Sequence, residues 1–466
     1  MPDRLRTSVL VVGAGPAGLA TAITLARVGV RCLVVDRLAR RPDGPRATGL
    51  SAGAVERLRR WGLQSKAEAA ALDVETTGLR VPSLARAGEG TPFEVGMLTR
   101  EQARVVSPAR ALCVGQDVVE ALLEDHLRTL PAAEVRRGVV FVALRQDADG
   151  VAVRLRDADG GSAWTVRADY VVGADGVRGA VRAAVGIELD ATTGLSDSLG
   201  ARVRGPLWDL VAPERRHLIY AITDAIAGGA LIPAGGDRWV YATERRPGVE
   251  ATEASLVPLV RAAAGAADLP VALDELVELR YATALAQSFR CGRVLLAGDA
   301  AHRVTPRGAT GLGMALVGGE ALGWRLGWVL RGWAPPALLD GYEADRRPVA
   351  AHNVQRSASP DGSERAAHTE WRFDVGARLA HVWLDEATST LDLVGPARTL
   401  VTGPAPGTWA AAAAAAPGAP VEVRSVPEDV ARALGVGRRG ALLLRPDGVP
   451  LGVWADDRHA ASALAG

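Results

Sequence analysis

Three glycines near the start of the chain have a spacing that suits a bound phosphate. Gly13, Gly15 and Gly18 lie in VVGAGPAGLA, directly after the apolar run Val9–Val12. Gly13 permits a tight turn, Gly15 lets the backbone approach a pyrophosphate, and Gly18 lets a helix pack closely against the strand. The start of that helix, which contains Ala17, offers unpaired N–H groups and the positive end of its dipole. The pattern predicts a phosphate-binding turn between a buried strand and a helix.

An acidic side chain ends the second strand of the same unit. Asp36 stands eighteen residues after Gly18 and is followed by Arg37. A carboxylate at this distance can accept hydrogen bonds from both hydroxyls of an adenosine ribose, and it repels a 2′-phosphate. The unit therefore predicts dinucleotide binding, but it does not separate NAD from FAD.

Two further acidic turns follow apolar strands later in the chain. Asp175 comes after the run Tyr170–Val172, and Asp299 comes after Gly298 and the run Arg293–Leu296. Each segment reads as strand, acidic turn and helix. Taken alone, either turn could be no more than a cap on a helix N-terminus.

In this order and at these separations, the three turns resemble the FAD-binding fold of the para-hydroxybenzoate hydroxylase class of flavoproteins. The resemblance implies that the first turn holds the ADP part and that Asp175 lies near the pyrophosphate and the path of the nicotinamide cofactor. It also implies that Asp299 binds the ribityl chain. No second GxGxxG is present, which fits a class without a separate NAD(P) domain. We therefore expect FAD as cofactor, with NADPH or NADH as a transient reductant.

Other segments match the same family. GPRATGLSAGAVERLRRWG resembles the segment whose arginine reaches the cofactor, which implies that Arg46 does so. VGQDVVEALLEDHL resembles the helix whose glutamine touches the flavin chain, which points to Gln116. The alternatives are a solvated surface arginine and a helix residue that faces solvent. The family also implies cofactor contacts from the third turn and the loop after it, at Gly298, Pro306, Gly308, Gly311, Leu312 and Gly313.

The tail of the chain resembles a particular subfamily. GALLLRPDGVPLGVW, preceded by TLVTGPAPGTWAAAAAAAPG, looks like the thioredoxin-like C-terminal domain of polyketide-tailoring aromatic hydroxylases. The tail has no CxxC, so we expect it to pack against the rest of the chain rather than to do redox chemistry. The run Ala410–Ala416 is a strong helix former and predicts a helix there.

These matches define the expected fold class and domain organisation. We expect an α/β protein in which a Rossmann-like FAD-binding domain is interleaved with an antiparallel-sheet substrate domain and followed by the thioredoxin-like domain. Strand-like alternation in LIYAITDAIAGGALIP and DRWVYATE predicts the second sheet. The predicted ranges are 1–76, 105–180 and 280–345 for FAD binding, 77–104 and 181–279 for the substrate domain, 346–394 for a connecting helical region, and 395–466 for the C-terminal domain.

The loop after Asp299 is unusually rich in glycine. A glycine in a helix costs about 1 kcal/mol relative to alanine, so bare backbone must be needed here. In the family this loop lies beside the flavin ring, and Gly308, Gly311 and Gly313 fit a flat ring lying against backbone. We expect a helix from near Met314. Gly319, Gly323 and Gly327 recur every four residues, which predicts one smooth helix face for close packing.

The same loop departs from the family pattern, which reads close to GGQGMNTGIQDAxNLAWKL. Here the sequence is GATGLGMALVGGEALGWRL, so Gly313, Gly318 and Ala321 replace an asparagine, an aspartate and an asparagine. Arg307 occupies a position usually held by a small residue near the reactive side of the ring. FAD binding through the main chain is compatible with these changes, but oxygen activation needs a shaped, dry cavity on that side.

Two functional hypotheses follow. The first is an FAD- and NAD(P)H-dependent monooxygenase that hydroxylates a polyketide-like substrate in antibiotic biosynthesis. The second is a non-redox enzyme, like those family relatives in spirotetramate-type pathways that use FAD structurally while catalysing a [4+2] cyclisation through proximity. A flavoprotein without turnover is a third possibility, and a flavin halogenase is disfavoured because WxWxIP is absent. The sequence assigns no catalytic side chain, substrate identity or oligomeric state.

Composition excludes several other classes. The 54 basic and 53 acidic side chains give a net charge of +1, which provides no field to attract nucleic acid and favours a small-molecule ligand. Cys32, Cys113 and Cys291 are far apart, with no metal-ligand spacing, as expected for reduced cysteines in the cytoplasm. The N-terminus enters a strand at once, which predicts no signal peptide. The apolar segment Met314–Leu330 is interrupted by charged residues, so no membrane span is predicted.

Overall fold

A mostly parallel sheet is built around the N-terminal strand. The structure is a computed structural model that describes residues 5–44, 46–245 and 250–464. The strand Leu5–Val12 pairs in parallel with Cys32–Asp36 on one side and with Ala163–Gly173 on the other. Its residues Val9–Val12 are buried, as expected for a strand covered on both faces. In spatial order the sheet contains Arg290–Cys291, Val294–Leu296, Ala163–Gly173, Leu5–Val12, Cys32–Asp36 and Ala133–Arg137, and the hairpin of Val139–Asp147 and Gly150–Asp157 extends from Ala163–Gly173.

Helices cover this sheet and connect the rest of the chain. Within the described ranges they are α1 (Pro16–Arg27), α2 (Ala52–Arg60), α3 (Gln64–Ala70), α4 (Arg100–Val106), α5 (Gln116–Arg128), α6 (Ala180–Ala184), α7 (Glu253–Ala264), α8 (Gly311–Leu330), α9 (Asp340–Ala358), α10 (Ala367–Asp374), α11 (Trp409–Ala415), α12 (Glu428–Ala433) and α13 (Ala460–Ala463). A two-stranded sheet pairs Gly49–Leu50 with Leu112–Cys113. The helix predicted from Met314 begins three residues earlier, at Gly311.

A second eight-stranded sheet carries an apolar core on one face. Tyr220, Trp239 and Tyr241 point into that core, which α7 closes. The strands are antiparallel except for one parallel pair, His217–Ile222 with Glu75–Val81. In spatial order they are His302–Arg303, Ala272–Ala286, Leu189–Arg204, Arg238–Glu244, Gly229–Pro233, His217–Ile222, Glu75–Val81 and Thr91–Phe93. The predicted domain boundaries at 76/77 and 279/280 both fall inside strands of this sheet.

Helices α1 and α8 pack against each other through the glycine face. A Cβ on Gly319 would lie 2.4 Å from the carbonyl oxygen of Ala17, and one on Gly323 would lie 2.7 Å from Thr24. A Cβ on Gly327 would lie 2.7 Å from Val28. The predicted close packing of the four-residue glycine repeat is confirmed, and α1 is the neighbouring element.

The C-terminal residues form a separate four-stranded sheet. Its order is Val421–Ser425, Arg398–Thr402, Ala441–Leu444 and Pro450–Trp454, with the first pair parallel and the others antiparallel. The segment Arg445–Val449 joins the last two strands and contains the RPDG turn, Arg445–Gly448. The alanine-rich helix is α11, which begins at Trp409 because that indole is fully buried and anchors its first turn.

Charged side chains on α8 are buried in ion pairs. Glu320 accepts hydrogen bonds from Arg57 at 3.0 Å and from Arg60 at 2.6 Å, and Arg325 pairs with Asp345. Within the described ranges, no helix combines the length and apolar character that crossing a membrane requires.

Candidate cofactor and substrate site

A cavity of about 570 Å³ lies between the parallel sheet and the second sheet. All three predicted acidic or glycine turns meet at it. Every predicted cofactor residue lines this cavity except Gly18 and Gly313: Gly13, Gly15, Ala17, Asp36, Arg37, Arg46, Gln116, Asp175, Gly298, Asp299, Pro306, Gly308, Gly311 and Leu312. Segments that are up to nearly 300 residues apart in the chain are therefore brought to one site.

Each glycine of the first turn has a different structural role. Gly13 has φ +112°, and a Cβ there would lie 2.1 Å from the carbonyl oxygen of Ala174, next to the second turn. A Cβ on Gly18 would lie 2.0 Å from the carbonyl oxygen of Gly13, so Gly18 serves helix–strand packing and does not reach the cavity. Gly15 has open space where its Cβ would be. That space, at the N-terminus of α1, can admit a pyrophosphate.

Asp36 is held in place by backbone N–H groups. Its Oδ2 accepts a hydrogen bond from the N–H of Ala14 at 2.8 Å, and its Oδ1 accepts one from the N–H of Leu38 at 2.8 Å. A guanidinium nitrogen of Arg137 lies 3.8 Å from Oδ1. The carboxylate thus ties the first glycine turn to the end of the second strand and still borders the cavity.

Asp175 combines a capping role with an unsatisfied oxygen. Its Oδ2 accepts a hydrogen bond from the N–H of Val181 at 2.9 Å, in the first turn of α6. Its Oδ1 is buried without a hydrogen-bond partner among the described residues. Burial raises the pKa of this carboxyl, and the Val181 N–H opposes the shift. A buried acceptor left open at a cavity wall is a position for a donor from a ligand.

Asp299 opens directly into the cavity. It lies in the short turn Gly298–Ala300, where Gly298 has φ +62° and lies next to Ala17. Asp299 is accessible from the cavity, but desolvation by the protein around it raises the pKa of its carboxyl, and Arg303 and Arg46 partly offset this shift. A carboxylate in this position can accept hydrogen bonds from sugar-alcohol hydroxyls.

Arg46 and Gln116 both border the cavity. Arg46 is exposed at its rim, close enough for its charge to act on Asp299 and Glu120. Gln116 is the first residue of α5, and its Nε2 donates to Glu120 at 2.7 Å. Both residues therefore border the cavity in which the cofactor contacts are predicted.

The glycine loop owes its bare backbone to protein contacts. A Cβ on Gly308, which has φ +89°, would lie 2.9 Å from the guanidinium of Arg356. A Cβ on Gly313 would lie 2.9 Å from the Oγ of Ser51, on the side away from the cavity. Gly311 borders the cavity and forms the first turn of α8. At Gly308 and Gly313 these protein contacts alone are enough to exclude a side chain.

The second sheet supplies an apolar wall that the sequence did not identify. We call this wall the platform, and it consists of Ile219, Ile232, Val240, Ala242, Leu279 and Tyr281. Val240 pairs with Ile232 across neighbouring strands, and Leu279 and Tyr281 alternate along one strand. Period-two alternation predicted the strands that carry Ile219, Ile232 and Val240, but not Ala272–Ala286, which carries Leu279 and Tyr281. Because both faces of the sheet are apolar, the pattern could not show which face meets the cavity.

These features fit FAD. Two helix N-termini, α1 and α8, converge on the cavity, with room at Gly15 and an open acceptor on Asp175. The platform adds an apolar surface to the cavity that the glycine loop also borders. Among the described residues, no group of three or more histidine, cysteine or acidic side chains could hold a metal ion.

Comparison with known protein families gives the class directly. The family described as FAD binding domain matches residues 6–357, and the family described as aromatic-ring hydroxylase, C-terminal, matches residues 373–465. The chain therefore belongs to the FAD-dependent aromatic hydroxylases, and FAD is its cofactor. The fold class and the family expected from the sequence are confirmed.

Two relatives, a monooxygenase-dioxygenase and a hydroxylase, match this chain along nearly their full length. Tetracenomycin B2 monooxygenase-dioxygenase of Streptomyces olivaceus is 31% identical over 98% of this chain and 96% of its own. Aklavinone 12-hydroxylase of Streptomyces purpurascens is 32% identical over 98% and 96%. The structure of aklavinone-11 hydroxylase with FAD and aklavinone has a TM-score of 0.85 and 28% identity, covering 100% of this chain and 98% of that one. These relatives favour the monooxygenase hypothesis over the cyclase hypothesis.

Proposed function

We propose that this chain is an NAD(P)H-dependent flavin monooxygenase that hydroxylates a polyketide-like aromatic molecule with fused rings. The observation that carries the proposal is the single cavity shared by the predicted FAD turns and the apolar platform. Relatives named for tetracenomycin and aklavinone chemistry support this substrate class. Bound FAD, reduced by NADPH or NADH, supplies the activation of O2 and the transfer of one oxygen atom to an electron-rich carbon.

In this proposal, the residues of this chain bind and orient FAD and the substrate. The N-terminus of α1, with Gly13, Gly15 and Ala17, receives the pyrophosphate, and Asp36 borders the adenosine ribose. Asp175 lies at the pyrophosphate side, and Asp299 accepts hydrogen bonds from the ribityl chain. The N-terminus of α8 directs its positive dipole end at the flavin, which stabilises an anionic reduced ring.

The remaining predicted contacts complete the proposed cofactor site. Arg46 and Arg37 lie at its rim, and Gln116 reaches the flavin chain from α5. Pro306, Gly308, Gly311 and Leu312 form the wall beside the ring, next to Gly298. The platform excludes water and holds an apolar substrate against the opposite side.

Domain roles form a further part of the proposal. Residues 1–76, 105–180 and 280–345 would bind FAD, and 77–104 and 181–279 would hold the substrate. Residues 346–394 would connect these to a C-terminal domain (395–466) that packs without redox activity. A cytoplasmic location accords with the unpaired state of Cys32, Cys113 and Cys291.

Flavin reduction tests the proposal most directly. The purified yellow protein is mixed anaerobically with NADPH, then NADH, with and without a fused-ring phenol, and the visible flavin band is followed. We expect bleaching, then oxygen-dependent recovery with formation of a hydroxylated product. A flavin that remains oxidised with either nucleotide, while substrate is still converted, would refute the monooxygenase and leave the [4+2] cyclase.

A further inference from the structure

The platform contains one polar group. Ile219, Ile232, Val240, Ala242 and Leu279 have hydrocarbon side chains, whereas Tyr281, which lines the same cavity, carries a phenol hydroxyl. That hydroxyl makes no hydrogen bond to the described residues, and burial raises the pKa of Tyr281. The phenol therefore stays protonated near neutral pH, with a donor that a ligand can use.

Arg307 lies over the ring of Tyr281. Its guanidinium lies 5.5 Å from the centroid of that ring, within the range of a cation–π contact. The backbone N–H of Arg307 donates to the Oγ1 of Thr305 at 3.2 Å. Its Nη1 lies 3.4 Å from the carbonyl oxygen of Ala358 and 3.3 Å from that of Ser359, at the end of α9. The arginine is thus held by two elements and limits the movement of the ring.

We propose that Tyr281 is a specificity-determining residue that donates a hydrogen bond to an oxygen at one edge of a fused aromatic substrate. Arg307 is a positioning residue that acts through Tyr281. This inference rests on the proposed function, because it assigns the platform to the substrate. The expected ligand has a flat fused-ring body that packs on the apolar residues and one hydroxyl or carbonyl oxygen at the Tyr281 end. A buried site with a donor of this kind discriminates against analogues that lack the oxygen.

Two small probes differ only in that oxygen. Naphthol and naphthalene are titrated into the oxidised holoenzyme, and the perturbation of the visible flavin band gives each Kd. We expect the holoenzyme to bind naphthol more tightly than naphthalene. In Tyr281→Phe the ratio of the two Kd values should fall by about tenfold, because naphthol binding weakens while naphthalene binding is unchanged. Because no NAD(P)H is present, a failure of flavin reduction would overturn the proposed function without altering this measurement.

Matched variants separate positioning from general damage. Arg307→Met should reduce the naphthol preference, and Arg307→Lys, which keeps a cation over the ring, should restore part of it. Tyr170 has Arg293 at 5.4 Å from its ring but does not border the cavity, so Tyr170→Phe and Arg293→Met should leave the preference unchanged.

The ratio of the two Kd values does not change when part of the protein is unfolded, because both probes report on the same folded fraction. If Tyr281→Phe does not retain FAD, the Arg307 variants decide the question by the same ratio. The inference is overturned if the holoenzyme shows no preference for naphthol, or if Tyr281→Phe or Arg307→Met keeps the full preference.

Discussion

Among single residues, Asp299 offers the cavity a carboxylate that accepts no hydrogen bond from the described residues. Asp299→Ala should yield protein with little bound flavin, measured as the ratio of flavin to protein after purification. Because burial raises the pKa of this carboxyl, the ionised form is disfavoured in the folded apoprotein. Removing it should therefore not lower the stability of the apoprotein.

The control for this prediction is Asp299→Asn, which keeps a carbonyl acceptor and should retain an intermediate amount of flavin. Full flavin content in Asp299→Ala would show that the ribityl chain does not depend on this side chain.

Gly308 and Ala309 are adjacent in the loop, but a side chain would clash at Gly308, whereas Ala309 already carries one. Gly308→Ala places a Cβ 2.9 Å from the Arg356 guanidinium at φ +89°, so it should destabilise the protein by about 1–2 kcal/mol and reduce flavin content. Ala309 already has φ +52°, the only described residue other than glycine with a positive φ. Ala309→Gly relieves that strain and should be tolerated. Chemical denaturation with flavin release as a second readout measures both, and equal effects of the two variants would contradict this assignment.

At the level of elements, adjacent glycines on α8 provide a matched pair. A Cβ on Gly319 would lie 2.4 Å from the backbone of Ala17 in α1, whereas one on Gly318 would meet only the Tyr342 hydroxyl at 4.0 Å. Gly319→Ala should push α1 and α8 apart, cost about 1–3 kcal/mol and weaken flavin binding at both N-termini. Gly318→Ala should stabilise the protein by up to about 1 kcal/mol through helix propensity. Thermal unfolding compares them, and a tolerated Gly319→Ala would mean that the helix contact is not tight.

An element could be predicted from the sequence where the residues that specify it are contiguous in the chain. The turns at Gly13, Asp175 and Asp299 were recognisable because strand, turn residue and helix are contiguous in the chain. The glycine repeat predicted a packing face but not its partner, because α1 lies some 300 residues away. The start of α8 at Gly311 was missed because glycines are poor helix formers and tertiary packing supports them there.

The platform was beyond prediction for a related reason. Tyr220 and Ile219 are adjacent in one apolar strand, yet only Ile219 borders the cavity, while Tyr220 lies in the core beneath. Side-chain alternation gives two faces, and only the arrangement of the whole sheet decides which one meets the cofactor.

At the scale of the whole molecule, Glu320 joins the FAD-binding part to the C-terminal sheet. It binds Arg57 and Arg60, and Arg60 also donates to the carbonyl oxygen of Pro446 at 2.8 Å, in the RPDG turn. Glu320→Gln removes the carboxylate that pairs with Arg60 and leaves buried Arg57 only its weaker pair with Glu56 at 3.6 Å, so it should cost about 3 kcal/mol. Glu364→Gln, in an exposed pair with Arg80, should cost less than about 1 kcal/mol. Urea denaturation measures both, and a neutral Glu320→Gln would show that the domain contact does not depend on this pair.

Buried histidines should set the acid limit of the folded protein. Burial lowers the pKa of His302 and that of His217 from near 6.5 to about 4. The folded state therefore keeps both neutral, while the unfolded chain binds protons as the pH falls through 6.5. Their stabilising contribution is complete above pH 6.5 and is lost between 6.5 and 4, by up to about 3 kcal/mol for each.

Buried carboxyls act in the opposite direction over the same range. Burial raises the pKa of Asp299, Asp175 and Asp374, so the folded protein takes up those protons first and gains stability on acidification. The net slope alone cannot identify the histidines, but the difference between parent and variant can. His302→Gln should lose less stability than the parent protein between pH 7 and pH 4.5, measured by denaturant midpoints. Parallel curves for the parent and His302→Gln would mean that folding does not lower the pKa of His302.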